Sequence, residues 1–580
     1  EAMSEKTWKI IKRVLLCASI LATIKIILFD YTLDEEYQVV MAYRNLQGDH
    51  LFKEMWEPHQ TSAFMCIGLM WFYHLITGTY TGVVIFLRVC TTVIQALLAI
   101  WGYKVMAKLT KKEYAFLLGI AYFNFVPKQI QIPEFANMQV WFFSIMVLAL
   151  LEYYSVIKTN KEGKRKNKLW LILSGIGMAL EVLAYPSCLL LFPVFLVYIW
   201  IVSEKERIKD CLIYIGTCAV CGVLWFFSIL RNVSPEEFIG NLGNVLSFDL
   251  THEISGATEG KFAGIISNVT GGVIFLLVLL VLTACIYYFI NRIEKKKQVV
   301  TNKTEKKLQF LTIAMCMAEV MQMFYWIVLQ KAFGDPQFYL VVICLIPLVL
   351  WKDLGDSRKM LAAGIIGLYV SLFAVAYISD LPIHNALPHG GFGLILCWLV
   401  MVIVWEKQTY VNAKKWIMIF LLGICVTVLV GKGYTVRGGR DYNSVFDTGG
   451  IMKNGPAAGI LTDYMFAYIY NTNYDEFQQY IGEDEKVMIV TNLIFSAGTT
   501  PYMFQESEVC HYSIVDPTAY DERLIEYWEI YPDKAPDFIV VDCWYGTLME
   551  PSDNYIMKYI EEEFGYTEVI DGSYVRFYKR

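Results

Sequence analysis

The chain has 580 residues, of which 56% are hydrophobic and only 18% charged, with a mean hydropathy of +0.44; a soluble domain carries roughly 25% charge. These values exclude an ordinary soluble enzyme and point to a polytopic membrane protein. Charge is also unevenly placed: Gly433 to Arg580 hold 25 acidic and 10 basic residues, net -15, which leaves +9 for the rest of a chain whose total is -6, so one chain meets two kinds of surroundings.

The first predicted element is the apolar run Ile10 to Phe29, long enough to span a bilayer and without a small-residue cleavage site, so it reads as a retained first span. Lys6, Lys9, Lys12 and Arg13 cluster before and at its start and place the N-terminus in the cytoplasm. Further spans are expected at 83–103, 113–127, 138–157, 168–186, 187–202, 211–230, 270–290, 308–330, 338–351, 360–378, 391–405 and 416–431, thirteen in all. Basic clusters at Lys104 to Lys112, Lys158 to Lys168, Lys205 to Lys209, Arg292 to Lys307, Lys352 to Lys359 and Lys407 to Lys415 then mark the cytoplasmic loops. A further crossing at Thr61 to Thr77 would put Lys104 to Lys112 on the wrong side, so that segment is expected to be a juxtamembrane or re-entrant helix in a first outer loop, 30–82. An odd number of spans leaves the acidic tail extracytoplasmic.

The chain thus divides into a transmembrane part, 1–432, and a tail, 433–580. The tail alternates strand-like and helix-like stretches: Lys486 to Asn492, Cys510 to Val515, the amphipathic Asp521 to Ile530, Asp537 to Asp542, Tyr555 to Phe564 and Tyr574 to Arg580. This order predicts a small α/β layer domain that folds by itself. It lacks a glycine-rich phosphate fingerprint, so no nucleotide site is expected. Of the 14 cysteines, all but Cys510 and Cys543 lie in or beside apolar segments and read as small hydrophobes. That last pair is either a disulfide or two free core thiols.

Acids beside an outer membrane surface are the first candidates for chemistry, and the first outer loop opens with Tyr31-Thr32-Leu33-Asp34-Glu35-Glu36-Tyr37. Thr32 with Glu35 is a capping box, which gives Glu35 a structural reading and leaves Asp34 free to accept a proton from an attacking hydroxyl. A second acid, Glu134, lies in the turn Pro127 to Asn137; it reads as a first-turn acid behind Pro133 or as a partner of the first, with Asn137 competing for that part. Outer-face cations have no topological task, which singles out Arg88, Lys331, Lys128 and Arg231 as anion ligands, against the alternative of interfacial anchors. His252, His384 and His389 do not have zinc-ligand spacing.

The run Asp34-Glu35-Glu36-Tyr37, then Ala42 to Asp49 with its Gly48-Asp49 turn, then Trp56-Glu57-Pro58-His59-Gln60, resembles the first outer loop of the GT-C glycosyltransferases. The likeness is to family 39, which includes the protein O-mannosyltransferases and the lipid A aminoarabinose transferase. That family has a His-Pro-Pro-like motif where this chain has Pro58-His59-Gln60. Gly78 with Arg88 resembles the family's passage into the next span, and Lys331 to Pro347, with Tyr339, its lysine, tyrosine and proline outer turn.

The resemblance implies a polytopic helical GT-C fold with an extracytoplasmic α/β domain. It also implies transfer of a sugar from a polyprenyl-phosphate carrier to an extracytoplasmic acceptor (a glycan, lipid or protein) with Asp34, Glu35 and Glu134 as catalytic candidates. Arg88, Lys331, Lys128 and Arg231 would hold the donor phosphate, and His59 and Tyr339 would contact donor or acceptor. A lone carboxylate base implies inversion at the anomeric carbon. No metal is expected to be obligatory, although in metal-using relatives the second acid binds a divalent ion; no nucleic-acid partner is expected. The competing classes are a transporter or lipid flippase, which would use the intramembrane acids Glu181 and Glu319, and a polysaccharide polymerase. A bacterial plasma membrane is the expected location.

Overall fold

The computed structural model describes residues 4–57, 59–159, 167–203, 206–247, 257–296, 302–325, 343, 345–378, 390–407, 413–438, 441–490, 508–509, 521–542, 562–563 and 565–580. Cys510, Cys543, Lys331 and Tyr339 lie outside them. So do His252, His384, His389 and most of the two tail stretches expected at 510–515 and 555–564.

The chain begins with α1 (Glu5–Leu28), started by Ser4, whose hydroxyl accepts the Thr7 N–H at 3.1 Å. There follow α2 (Leu33–Leu46), a 3-10 turn at Gln60–Ala63, α3 (Phe64–Thr77), α4 (Val83–Met106), α5 (Lys112–Asn124), α6 (Phe135–Thr159), α7 (Leu169–Ala184), α8 (Leu191–Val202), α9 (Arg207–Leu230) and α10 (Pro235–Ser247). Next come α11 (Ala257–Lys296), α12 (Lys303–Met323), the short α13 (Leu345–Leu350), α14 (Ser357–Ile378), α15 (Gly391–Glu406) and α16 (Ala413–Tyr434).

Six of these are long and apolar enough to cross a membrane: α4, the Phe135–Tyr154 part of α6, α9, the Val273–Lys296 part of α11, the Ser357–Ala376 part of α14 and the Lys415–Tyr434 part of α16. Other helices coincide with expected spans in position but are shorter: α5 has 13 residues and α8 has 12, each about 18–20 Å at 1.5 Å per residue, against a hydrocarbon core of about 30 Å. Apolar side chains point outward from α9 (Leu212, Val220, Phe227) and α11 (Ile274, Leu277, Val281). Such surfaces suit lipid and not water. α15, by contrast, is apolar all round and buried nearly along its whole length, which puts it at the centre of the bundle.

The expected juxtamembrane segment is α3, whose 14 residues reach about 21 Å. It folds back onto α4 through Gly78 and Gly82, with φ of 69° and 78°; this left-handed backbone is what glycine provides without a Cβ penalty. Tyr73 and Phe86 pack across the hairpin at 5.0 Å.

After α16 the tail adds a hairpin of β1 (Thr435–Gly438) and β2 (Asp441–Ser444), a second short pair of β3 (Gly450–Ile451) and β4 (Leu461–Thr462), and α17 (Tyr464–Tyr480). Then come β5 (Lys486–Val490), β6 (Glu508–Val509), α18 (Asp521–Ile530), β7 (Phe538–Asp542), β8 (Glu568–Asp571) and β9 (Val575–Lys579). The last five strands form one mixed sheet in the order β6-β5-β7-β9-β8, parallel from β6 to β7 and antiparallel beyond.

Side chains alternate across a strand, and both faces of this sheet are buried. Val487, Phe538, Val540 and Phe577 join one apolar cluster with Phe466, Tyr470 and Phe477 of α17 and with residues of α2 to α4. Met488, Ile539, Val541 and Tyr578 join another, with Tyr527 and Trp528 of α18, Phe52 and Trp56 of the first loop, and Ile229, Val233 and Val245 around α9 and α10. The tail is therefore not covered by its own residues alone. Part of its second face is completed by the first loop and the α9–α10 corner.

Candidate functional site

Five helix ends meet on one face of the bundle: the end of α1, the start of α4, the end of α5, the start of α6 and the end of α7. Arg88 on α4 organises the first two. Its guanidinium donates to the carbonyls of Ile27 at 3.1 Å and Phe29 at 3.0 Å and to that of Asp30. It also grips Glu35 with two bonds, Nε to Oε1 at 2.9 Å and Nη2 to Oε2 at 2.7 Å. Glu35 in turn accepts the Thr32 N–H at 3.2 Å. This is the capping interaction expected from the sequence, now locked by a buried cation; Arg88 is 2% and Glu35 1% exposed. The arrangement gives Arg88 and Glu35 a scaffolding task, fixing where α2 begins. Asp30, just outside α1 and enclosed, has its carboxyl pushed up to about 7 by burial.

Asp34, one position before Glu35, keeps 28% of its side chain exposed. Its carboxylate Oδ2 lies 3.4 Å from Lys128 Nζ. Lys128 sits in the turn between α5 and α6 in the left-handed region, φ 53°, with Gln129 beside it at 59°. Two consecutive non-glycine residues in that region are strained, and such strain persists where surrounding contacts hold it. Those contacts are visible: Asn137 donates from Nδ2 to the carbonyls of Ile130 and Ile132, each at 2.8 Å. Asn137 is thus a clamp on the turn.

Glu134 closes the same turn and caps α6. Its two oxygens accept the N–H groups of Ala136 and Asn137, each at 2.9 Å, and it is fully buried. Burial pushes its carboxyl up to about 7, with the neighbouring Asp34 acting in the same direction and Lys128 against it. Asp34, Lys128 and Glu134 are therefore one electrostatic group.

The remaining walls are aromatic. His59 stacks on Phe135 with ring centres 4.6 Å apart and planes 12° from parallel, and Tyr185 lies 5.4 Å from His59. Lys128 Nζ stands 4.1 Å from the centre of the Phe135 ring, a cation–π contact. The first loop is fastened here by Thr61, which donates to the Leu183 carbonyl at the end of α7 at 2.8 Å. Asp34, Lys128, Glu134 and His59 are thus brought together. Arg88 and Glu35 lie behind them, and Arg231 is exposed at the end of α9. Phe135 and Tyr185 were not singled out from the sequence; Tyr185 before Pro186, where a helix must end, was the one local signal.

The resemblance suggested a divalent ion at the second acid in metal-using relatives. The residues do not fit one, because both Glu134 oxygens accept backbone N–H bonds and the Lys128 ammonium already stands beside Asp34. Among the described residues no group of three His, Cys, Asp or Glu has the geometry of a metal site.

No protein-family model matches the sequence, and no curated protein matches it. Solved structures with partial likeness include oligosaccharyltransferases of Archaeoglobus fulgidus. One, tethered through a disulfide to an acceptor peptide containing the NVT sequon, is 11% identical with a TM-score of 0.44, over 93% of this chain and 70% of that one. The archaeal oligosaccharyltransferase AglB in complex with an inhibitory peptide and a dolichol-phosphate is 8% identical with a TM-score of 0.41, over 91% and 69%. Another, in complex with Zn and sulfate, is 12% identical with a TM-score of 0.40, over 91% and 68%. Overlays this loose do not establish a shared fold.

One further motif of the first loop has a different task. Arg44 on α2 is buried and donates to Asp49 at 2.7 Å, to Glu57, to the Glu54 carbonyl at 2.9 Å and to the Tyr527 hydroxyl at 3.1 Å. Lys534 of the tail reaches the other Asp49 oxygen at 2.6 Å. The Gly48-Asp49 and Trp56-Glu57 stretches are therefore the joint between the first loop and the tail.

Proposed function

We propose that the chain is a membrane glycosyltransferase of the GT-C kind that moves a sugar from a polyprenyl-phosphate carrier to an extracytoplasmic acceptor. The observation that carries this reading is the partly exposed Asp34 carboxylate beside Lys128, next to the rings of His59 and Phe135 and where helices begin and end. An acceptor hydroxyl or amine attacks the anomeric carbon as the bond from that carbon to the phosphate oxygen breaks. Asp34 takes the acceptor's proton, and the polyprenyl phosphate leaves with the bonding electrons. One displacement inverts the anomeric centre.

Lys128 is assigned to the donor phosphate. An ammonium between a carboxylate and a phosphate lets the two anions approach, and it offsets the charge that develops on the leaving group. Glu134, buried in the turn, is assigned to holding Lys128 in place. The half-buried His59 is assigned to the sugar, with the buried Phe135 and Tyr185 packed behind it. Lys331, Tyr339 and Arg231 stay in the proposal as donor contacts, and Arg88 and Glu35 become positioning residues behind the base. An inside N-terminus and an extracytoplasmic tail complete the reading, in a bacterial plasma membrane.

The test is transfer of a labelled sugar from polyprenyl phosphate by the full chain in nanodiscs. Loss of transfer in both Asp34→Asn and Lys128→Ala, with folding preserved, is expected. Unchanged transfer in both would transfer the case to the transporter or flippase reading.

A further inference from the structure

Residues 446–468 of the tail lie against the bundle, and this segment meets the ends of three helices. Phe29, at the end of α1, forms a bridge with Leu461, and the Asp30 N–H donates to the Leu461 carbonyl at 2.7 Å. At the start of α4, Gly82 and Val84 donate to the carbonyls of Gly455 and Pro456 at 2.8 and 3.1 Å. At the end of α16, the Tyr434 ring lies 6.4 Å from that of Phe446. α4 and α16 are among the helices able to cross a membrane. Their ends lie at its interface, and so does the segment bound to them.

On this segment large apolar and aromatic side chains face outward. Phe446 is 85% exposed, Tyr464 62%, Tyr468 50%, Ile451 46% and Met465 45%. They are close to one another: the Gly449 N–H donates to the Thr462 carbonyl at 3.0 Å, and the Tyr464 and Tyr468 rings stack at 6.3 Å. The acids nearest them are engaged as caps, Asp447 accepting the Ser444 N–H at 3.0 Å and Asp463 the Met465 N–H at 2.8 Å. α17 differs at its far end, about 25 Å away over 17 residues, where exposed Glu483 and Asp484 follow it. The helix is apolar where it meets the bundle and acidic where it leaves it.

We propose that Phe446, Ile451, Tyr464, Met465 and Tyr468 form a membrane-docking surface that enters the head-group and upper acyl region of the leaflet and holds the tail at a fixed height over the bundle. Tyrosine suits this depth, with its ring in the apolar zone and its hydroxyl in water. The attraction is apolar rather than electrostatic, since the tail is net -15 and the exposed Lys453 is the one basic side chain on this segment, beside five large apolar ones. The inference does not depend on the proposed transfer reaction.

The experiment places the photoreactive residue p-benzoylphenylalanine at 446, at 465 or, as a control, at 483 in the full chain, reconstituted in phosphatidylcholine nanodiscs. Lipid adducts several-fold more abundant at 446 and 465 than at 483 are expected, and equally so when phosphatidylglycerol is included. Adducts no more abundant than at 483 would overturn the proposal. So would adducts that appear only with the anionic lipid, and so would cross-links that join two protein chains in place of lipid. Position 446 and position 465 are read independently, so failure of one substituted protein to fold leaves the other to decide.

Discussion

Lys128 Nζ stands 3.4 Å from Asp34 Oδ2, joining residues 94 positions apart, and the same ammonium lies over the face of Phe135. The pair places a proton acceptor and a phosphate ligand side by side. Asp34→Asn keeps the shape and removes the basicity, so sugar transfer should fall by roughly 10²–10⁴-fold. Because the pair is partly exposed, the stability change should be about 1 kcal/mol or less. Transfer of labelled sugar and thermal unfolding, measured on the same preparation, decide it; near-normal transfer would remove Asp34 as the base.

Arg88 and Glu35 are expected to behave in the opposite way. Removing one partner of a buried pair leaves an uncompensated charge, so Arg88→Ala should cost about 3–5 kcal/mol. Thermal unfolding in detergent reads this directly. A variant as stable as the parent but weakened in donor affinity would return Arg88 to the donor phosphate.

Glu134 predicts a pH dependence of stability. Its carboxyl titrates near 7 in the fold against an ordinary value of 4.5, so the folded chain holds this proton more tightly than the unfolded one. The stabilisation is complete below about pH 4.5 and is lost as pH rises through about 7, a change on the order of a few kcal/mol. Glu134→Gln cannot titrate, and its stability should be flatter across that window. Melting temperatures at matched ionic strength from pH 4.5 to 8 check this, with an unchanged slope in the variant counting against it.

The joint between first loop and tail rests on Trp56, which is fully buried and packs edge-on to Tyr527 at 5.1 Å. Trp56→Ala should destabilise by about 3–5 kcal/mol. For the same reason residues 433–580 expressed alone should bind a hydrophobic dye, because part of one sheet face loses its cover. Cooperative unfolding without dye binding would show that the tail is self-sufficient after all.

Local pattern was enough to find helices, because a run of apolar residues bounded by charges states both its length and its surroundings. Residues 83–103, 211–230 and 416–431 were legible in this way and appear as α4, α9 and α16. The Thr32 to Glu35 cap was legible too, since its two residues are three apart, and so were β5, β7 and β9, from runs of alternating or β-branched residues. Short helices such as α5 and α8 show that an apolar run gives position more surely than it gives a full crossing.

What sequence pattern could not decide is which charges meet. Arg88, Lys128 and Arg231 are alike as isolated outer-face cations. Only the fold engages the first with Glu35 and four backbone carbonyls, sets the second beside Asp34 and leaves the third exposed. The same holds for the ring contact of His59 with Phe135, made across 76 residues of chain. The physical reason is that an ion pair or a ring stack is fixed by where helix ends converge, and that convergence is set by packing throughout the bundle, not by neighbours along the chain.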